Sequence, residues 1–395
     1  MIDRSRLRLG GLAAGVALAA FAWVGQAAYA QTPDAETTRP VLEEEETDVA
    51  VLAPPGPRRI VVFDAYVTGG TITEGEQLNT IGMIPVARVS SFRAAPDFKT
   101  FYVAETIYSR GNRGTRQDMI SVYDGLTLDL KREIPLPGRL LAVTKSTAFD
   151  INASGTRAFV YNMQPASSVI VTDLVKGKVQ NVIETPGCAM VLAFGDGGFA
   201  SPCGDGSLLS VAVDAAGKAK LTRTEPFFDA NLDPIVDENV VDRATGKAFL
   251  ISYTGLVYPA QLGATSQVEA PFSIQEGANL PRPKPDVSEL AWRPGGSRFA
   301  AYHPQSGRLF VLMHRGVHWS HKDPGEEVWV VDTTTRKVVK RIKLAAPAMN
   351  VAVSPDATPL IYVSGDAGTR TLDSSTGREI ARAGHMRGQI HAPVR

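Results

Sequence analysis

The sequence predicts an all-β fold, a seven-bladed β-propeller of four-stranded antiparallel blades, from three observations. Its apolar runs are short or alternating and are broken by Gly, Pro, Asp and Asn, with almost no sustained helical periodicity, which is the pattern of strands. One hairpin plan recurs in "ISVYDGLTLDLKREIPLPG" (120–138), "VIVTDLVKGKVQNVIETPG" (169–187), "VWVVDTTTRKVVKRIKL" (328–344) and "TRTLDSSTGREIARA" (369–383). A second form, "GTRAFVYNMQ" (155–164), "GKAFLISYTG" (246–255) and "GRLFVLMHRG" (307–316), precedes most of these.

In the first plan a strand ends in Asp, a polar turn follows, and the next strand starts basic and ends apolar. The Asp closes the turn because its carboxylate accepts from backbone N–H groups two residues on. Weaker copies lie at Asp64, at Asp214 and near Ala260, so that turns at Asp64, Asp124, Asp173, Asp214, Ala260, Asp332 and Asp373 make seven units with a mean spacing of about 51 residues. Two hairpins give four strands, the content of one blade, and seven blades account for most of the chain. A pair of stacked β-sandwiches would not need the same Asp turn seven times.

Residues 1–30 read as a secretory signal peptide. Arg4, Arg6 and Arg8 precede an apolar run over 10–25, and Ala28-Tyr29-Ala30 is a small-x-small cleavage signal. The run is shorter than the roughly 20 residues of a membrane span, so an exported protein without a membrane span is expected. Residues 31–55 read as an acidic, solvated arm, with seven acids against Arg39 between 31 and 48. The propeller is expected over 56–395. No basic surface suggests nucleic acid, and no Ser-His-Asp order, phosphate loop or paired-carboxylate motif stands out.

Three features within the propeller invite a functional reading. The segment "YSRGNRGTRQD" (108–118) inserts Arg110, Arg113 and Arg116 into a hairpin of the second blade, closed by Asp118. Guanidinium forks suit bidentate pairing with a partner's carboxylates or a neighbouring blade's, although an ordinary solvated loop would look the same. Cys188 and Cys203 are the two cysteines of the chain. In an oxidising compartment an even pair beside turn glycines reads as a disulfide, contributing about 3 kcal/mol, with two buried free thiols as the alternative.

The third, "LMHRGVHWSHKDPGEEVWVVD" (312–332), carries His314, His318 and His321, half of the six histidines. Spacings of four and three would align them for zinc or copper on a helix. The segment instead starts as a strand, Gly316 and Pro324-Gly325 bracket a loop, and a strand is expected to resume at Val328. His314 also lacks the following Glu of the H-E-x-x-H metalloproteases. A long loop with Trp319 among basic residues fits a contact surface.

At these loops and the cysteine pair the chain resembles the heavy (β) subunit of the quinoprotein amine dehydrogenases, of both the methylamine and the aromatic amine types. The matching segments are 108–124, "GCAMVLAFGDGGFASPCGDGSLLSV" (187–211), "GKAFLISYTGLVY" (246–258) and 307–335, where His321-Lys322 matches best. The resemblance implies a periplasmic heterotetramer of two heavy chains and two small cysteine-rich light chains. The light chain would carry tryptophan tryptophylquinone and the catalytic base, converting a primary amine to aldehyde plus ammonia. Electrons would pass to a blue copper protein or a cytochrome c. The heavy chain would hold no cofactor, metal or catalytic residue of its own, and would help wall the substrate channel, with Tyr66 as the channel aromatic. None of Trp23, Trp292, Trp319 and Trp329 reads as a quinone precursor. Two other classes remain: a stand-alone exported propeller that binds proteins, and a metal-dependent hydrolase or lactonase.

Overall fold

A computed structural model of the chain describes residues 51–64, 69–140, 145–285 and 287–393; the signal peptide, most of the acidic arm and Tyr66 lie outside them. Seven antiparallel sheets follow one another along the described chain, interrupted only by the short helix Ile274–Gly277 and two 3-10 turns. From the axis outward, blade 2 is built from Ser91–Ala94, Thr100–Arg110, Arg113–Asp124 and Leu130–Leu136. Blade 3 runs Phe149–Ile151 to Lys178–Glu184, blade 4 Leu192–Phe194 to Ala219–Arg223, and blade 5 Val240–Asp242 to Gln267–Val268 with Phe272–Ser273 added. Blade 6 opens on a broken inner strand, Ala291–Pro294 and Ala300–His303, and ends at Lys337–Ala348; blade 7 runs Asn350–Val353 to Glu379–Ala383. Inner strands of successive blades touch one another, and so ring the axis.

Strand alternation explains how the blades stack. Successive side chains point to opposite faces of a sheet, so Ile60 and Val62 of one strand pack toward blade 7 with Tyr362 and Leu360, while Val61 and Phe63 pack toward blade 2 with Phe92 and Phe101. Phe159, Val169 and Val171 of blade 3 likewise meet Phe199 and Val211 of blade 4, whereas Val160 and Ile170 face blade 2. Each blade is hydrophobic on both faces because each is a filling between two others. The outermost strands alternate instead, as in Lys337–Ala348, where exposed and less exposed positions follow one another.

The ring closes through the chain termini. Gln389–His391 supplies the inner strand of blade 1 and pairs with Ile60–Asp64, which is followed by Gly69–Glu74 and Asn79–Pro85. This closure corrects one step of the repeat count. Asp124, Asp173, Asp214, Asp332 and Asp373 all follow or end a third strand and accept from N–H groups of the turn, for example Thr334 and Thr335 onto Asp332 at 3.1 and 2.8 Å. Asp64 instead ends a second strand, because the C-terminal strand has taken the innermost place; the corresponding turn of blade 1 lies between Glu74 and Asn79. In blade 5 the third strand runs on to Gln261, so its turn falls just past Ala260.

Candidate functional site

Because strand direction alternates within a blade, the connection between second and third strands emerges at the same end as the linker entering the first strand. All blades share one order from the axis, so these connections gather on one face, the loop face, while the Asp-closed turns gather on the other. The arginine hairpin, both cysteines and the histidine loop all lie in loop-face connections or linkers. The second and third strands of blade 1, between which Tyr66 falls in sequence, also end there, at Asp64 and Gly69.

The arginine segment prolongs the second and third strands of blade 2 beyond the body of the sheet, with Tyr108 opposite Arg116 and Arg110 opposite Arg113. Arg110, Arg113 and Arg116 are exposed, but Arg116 is already committed: its Nη2 lies 3.0 Å from Asp118 and donates to the Arg139 carbonyl at 3.0 Å. Asp118 is buried and also accepts from the Thr106 hydroxyl at 2.5 Å, which in turn accepts from Arg139 at 2.9 Å. Burial pushes the Arg139 guanidinium down to about 10, against the pull of Asp118. Asp118 and Arg116 thus brace the base of the hairpin, and Arg110 and Arg113 present their forks at its tip. An open groove of about 730 Å³ runs beside it, lined by Arg116, Asp118, Asn162 and Gln164.

Cys188 and Cys203 form a disulfide that ties the linker entering blade 4 to the end of that blade's second strand.

The histidine loop occupies 317–324, since the third strand of blade 6 resumes at Gly325 and not at Val328. Gly325 packs so closely on Leu312 that a Cβ there would approach to 2.6 Å, which is why the strand pairing begins at a glycine. The three imidazoles do not converge. His314 is buried and its Nε2 meets the Ser320 hydroxyl at 2.8 Å, in space left by Gly295 and Gly316. His318 contacts Trp319, and His321 stacks on Tyr253 with ring centroids 3.7 Å apart. Trp319 stands edge-on to Tyr253 at 5.5 Å, is 54% exposed, and holds a left-handed backbone at φ 68°. Among the described residues no cluster of His, Cys, Asp or Glu could hold a metal ion.

Burial, then Lys322, lowers the His321 pKa, although Asp237 opposes them. Burial also raises Tyr253 to about 12. Lys145 and Asp237, paired at 2.7 Å, act electrostatically on His321 and join the linkers into blades 3 and 5. Sequence reasoning reached Trp319, His321 and Lys322 but not Tyr253, because an aromatic in "ISYTG" carries no signal until blade 5 is placed beside blade 6.

It also missed a polar network in the axial channel. Asp150 sits 2.9 Å from Arg93 and 2.8 Å from Arg243, and its other oxygen accepts from the Ala193 N–H, so one carboxylate joins blades 2, 3, 4 and 5. Burial disfavours its charge, but Arg243 and Arg93 hold its pKa below the usual carboxylate value. Glu238 accepts from the N–H and hydroxyl of Ser146. The available signal was a lone charge inside an otherwise apolar inner strand, as in "SFRA" and "FDI".

Residues 57–393 match the family model for the methylamine dehydrogenase heavy chain. The chain belongs to that family. Among its relatives, the methylamine dehydrogenase heavy chain of Methylorubrum extorquens is 29% identical over 94% of this chain and 92% of its own length. That of Paracoccus versutus is 29% identical over 85% of this chain and 79% of its own, and that of Methylophilus methylotrophus 28% over 94% and 92%.

Two solved structures share the fold alone. A functionally unknown protein from Desulfotomaculum acetoxidans aligns with TM-score 0.57 at 11% identity, over 85% of this chain and 98% of its own. A dihydro-heme d1 dehydrogenase in complex with its ligand aligns with TM-score 0.53 at 14% identity, over 86% and 76%. Trp292 and Trp329 lie 5.4 Å apart beneath the Arg341 guanidinium, and the Trp329 indole donates to Glu327.

Proposed function

We propose that this chain is the heavy subunit of a periplasmic quinoprotein amine dehydrogenase that oxidises primary amines to aldehyde plus ammonia. The observation that carries the reading is the family match over 57–393. The cofactor, tryptophan tryptophylquinone, and the catalytic base reside in a small cysteine-rich light subunit, two copies of which join two heavy chains. This chain supplies a scaffold and one wall of the substrate channel, with Tyr66 lining it, and electrons leave to a blue copper protein or a cytochrome c. Residues 1–30 are the export signal, 31–55 an acidic arm and 56–395 the propeller.

The loop face supports docking there. Arg110 and Arg113 at the hairpin tip and Trp319 on the histidine loop are exposed, with Lys322 beside it, and aromatic and arginine side chains are those that dominate interface energetics. Arg116 and Asp118 act one step back, by holding the hairpin in place. His321 acts through Tyr253, whose ring fixes the loop.

Purification of the chain from its native host tests the reading. A complex containing a small cysteine-rich chain, coloured as a quinone and bleached by a primary amine, is expected. A colourless, isolated heavy chain would overturn it. Intact-mass measurement of the exported chain is expected to place its first residue at Gln31.

A further inference from the structure

The axial channel holds a cavity of about 150 Å³, whose charged lining is Arg93, Asp150, Glu238, Asp242, Arg243 and Arg298. Its charges are unevenly paired. Asp150 is shared by Arg93 and Arg243. Glu238 is taken up by Ser146, and burial raises its pKa, which disfavours its charge. Arg298 has no carboxylate within ion-pair distance among the described residues; its Nη1 donates to the Ile390 carbonyl at 2.7 Å and meets His391 Nδ1 at 3.3 Å.

His391 does not supply the missing negative charge. Since the guanidinium can only donate, Nδ1 accepts and the ring proton sits on Nε2. That Nε2 is buried and has no hydrogen-bond partner among the described residues. The lining therefore holds three guanidiniums and three carboxylates, of which Asp242 is engaged by the Ala244 N–H and Thr245 hydroxyl of its own turn and Glu238 is poorly disposed to ionise, so that Arg298 is left without a paired counter-charge. Leaving a guanidinium uncompensated at such depth is costly unless a counter-charge is present. Arg243 and Arg298 both retain accessible surface while lining the cavity.

We propose that the axial channel binds a small anion of the carboxylate or oxyanion class, held by Arg298 and Arg243. The cavity volume suits an anion of a few heavy atoms and lies below the roughly 300 Å³ at which pockets for larger organic ligands begin. An anion here would join blade 5 to the adjacent blade 6, as Asp150 joins blades 2 to 5. Its effect would be to lock the ring.

Thermal unfolding of the full chain, with any subunits that co-purify, tests this. Phosphate, sulfate, formate and succinate serve as separate probes, ionic strength being held constant with sodium gluconate, which is too bulky for the cavity. At least one probe is expected to raise the midpoint saturably by about 3 °C or more, since a ligand that binds only the folded state stabilises it by mass action. The Arg298→Gln variant is expected to lose that rise, and Lys178→Gln, on an outer strand of blade 3, to keep it. Arg298→Lys preserves the charge without the fork, and its apparent Kd should weaken at least threefold. No saturable rise with any probe, the same rise in Arg298→Gln, or an unchanged Kd in Arg298→Lys would each overturn the proposal.

Discussion

Asp150 is the residue on which most depends. Its carboxylate satisfies two guanidiniums and a backbone N–H from three other blades. Removing one member of a buried charge network leaves the others uncompensated, at a cost of about 3–5 kcal/mol. Asp150→Asn is therefore expected to lower stability by about 3 kcal/mol in urea titrations, and a change under about 1 kcal/mol would contradict the network. The buried histidines give a pH dependence. Burial lowers the pKa of His314, His321 and His391, the last also through Arg298, Arg93 and Arg243. A group with a lowered folded pKa binds fewer protons folded than unfolded, so its contribution is complete above the unfolded value near 6.5 and is lost as pH falls through the folded value. Stability is expected to drop between about pH 7 and pH 5, and His391→Phe, which keeps a ring against Phe63 and Phe92, should flatten that slope. His321→Ala should leave the fold intact yet raise the light-subunit dissociation constant about tenfold, because Tyr253 would lose the ring that orders the loop; calorimetric titration of the separated subunits reads this directly.

At the scale of the element, the disulfide and the Asp turns act on the same problem, holding short strands in register. Closing a 15-residue loop through Cys188 and Cys203 is worth about 3 kcal/mol by the loop-entropy model. The Cys188→Ser/Cys203→Ser double variant should lose about that amount, and reductant should then have no further effect on its unfolding midpoint. Legibility in the sequence also divides at this scale. The third-to-fourth-strand hairpins were readable because an Asp that caps its own turn imposes a local, repeated pattern. Inner strands such as Phe149–Ile151 and Gln389–His391 are three residues long, too short to show a period, and their partners lie in distant parts of the chain. That is why Asp64 was assigned to the wrong turn while the number of blades was correct. The loop-face residues were visible as departures from the repeat, but Tyr253 and the channel charges are defined only by which blades meet, and the repeat alone does not encode this.

For the whole molecule, closure decides whether seven sheets behave as one. Val61, Val62 and Phe63 pair with His391, Ile390 and Gln389, and the fully buried Ile390 packs with Ile60, Val62 and Tyr362 between blades 7 and 1. The same segment accepts hydrogen bonds from blade 7, where Asn350 and Ser364 donate to the Gly388 carbonyl and Thr369 to that of Met386. Deleting 385–395 would remove the innermost strand of blade 1, expose an unpaired edge at Ile60–Asp64 and leave those donors without their acceptors at once. A closed propeller leaves only short, protected strand edges, and opening the ring uncovers two apolar blade faces that were packed against each other. The truncated chain should therefore unfold far more than 10 °C below the full chain and become sensitive to protease across several blades, not only in blade 1. The milder Ile390→Ala should cost about 2–5 kcal/mol while unfolding remains a single cooperative step. If truncation instead left the midpoint within about 5 °C, with cleavage confined to residues 57–85, the blades would be independent units, and the C-terminal strand a local edge rather than the closure of a ring.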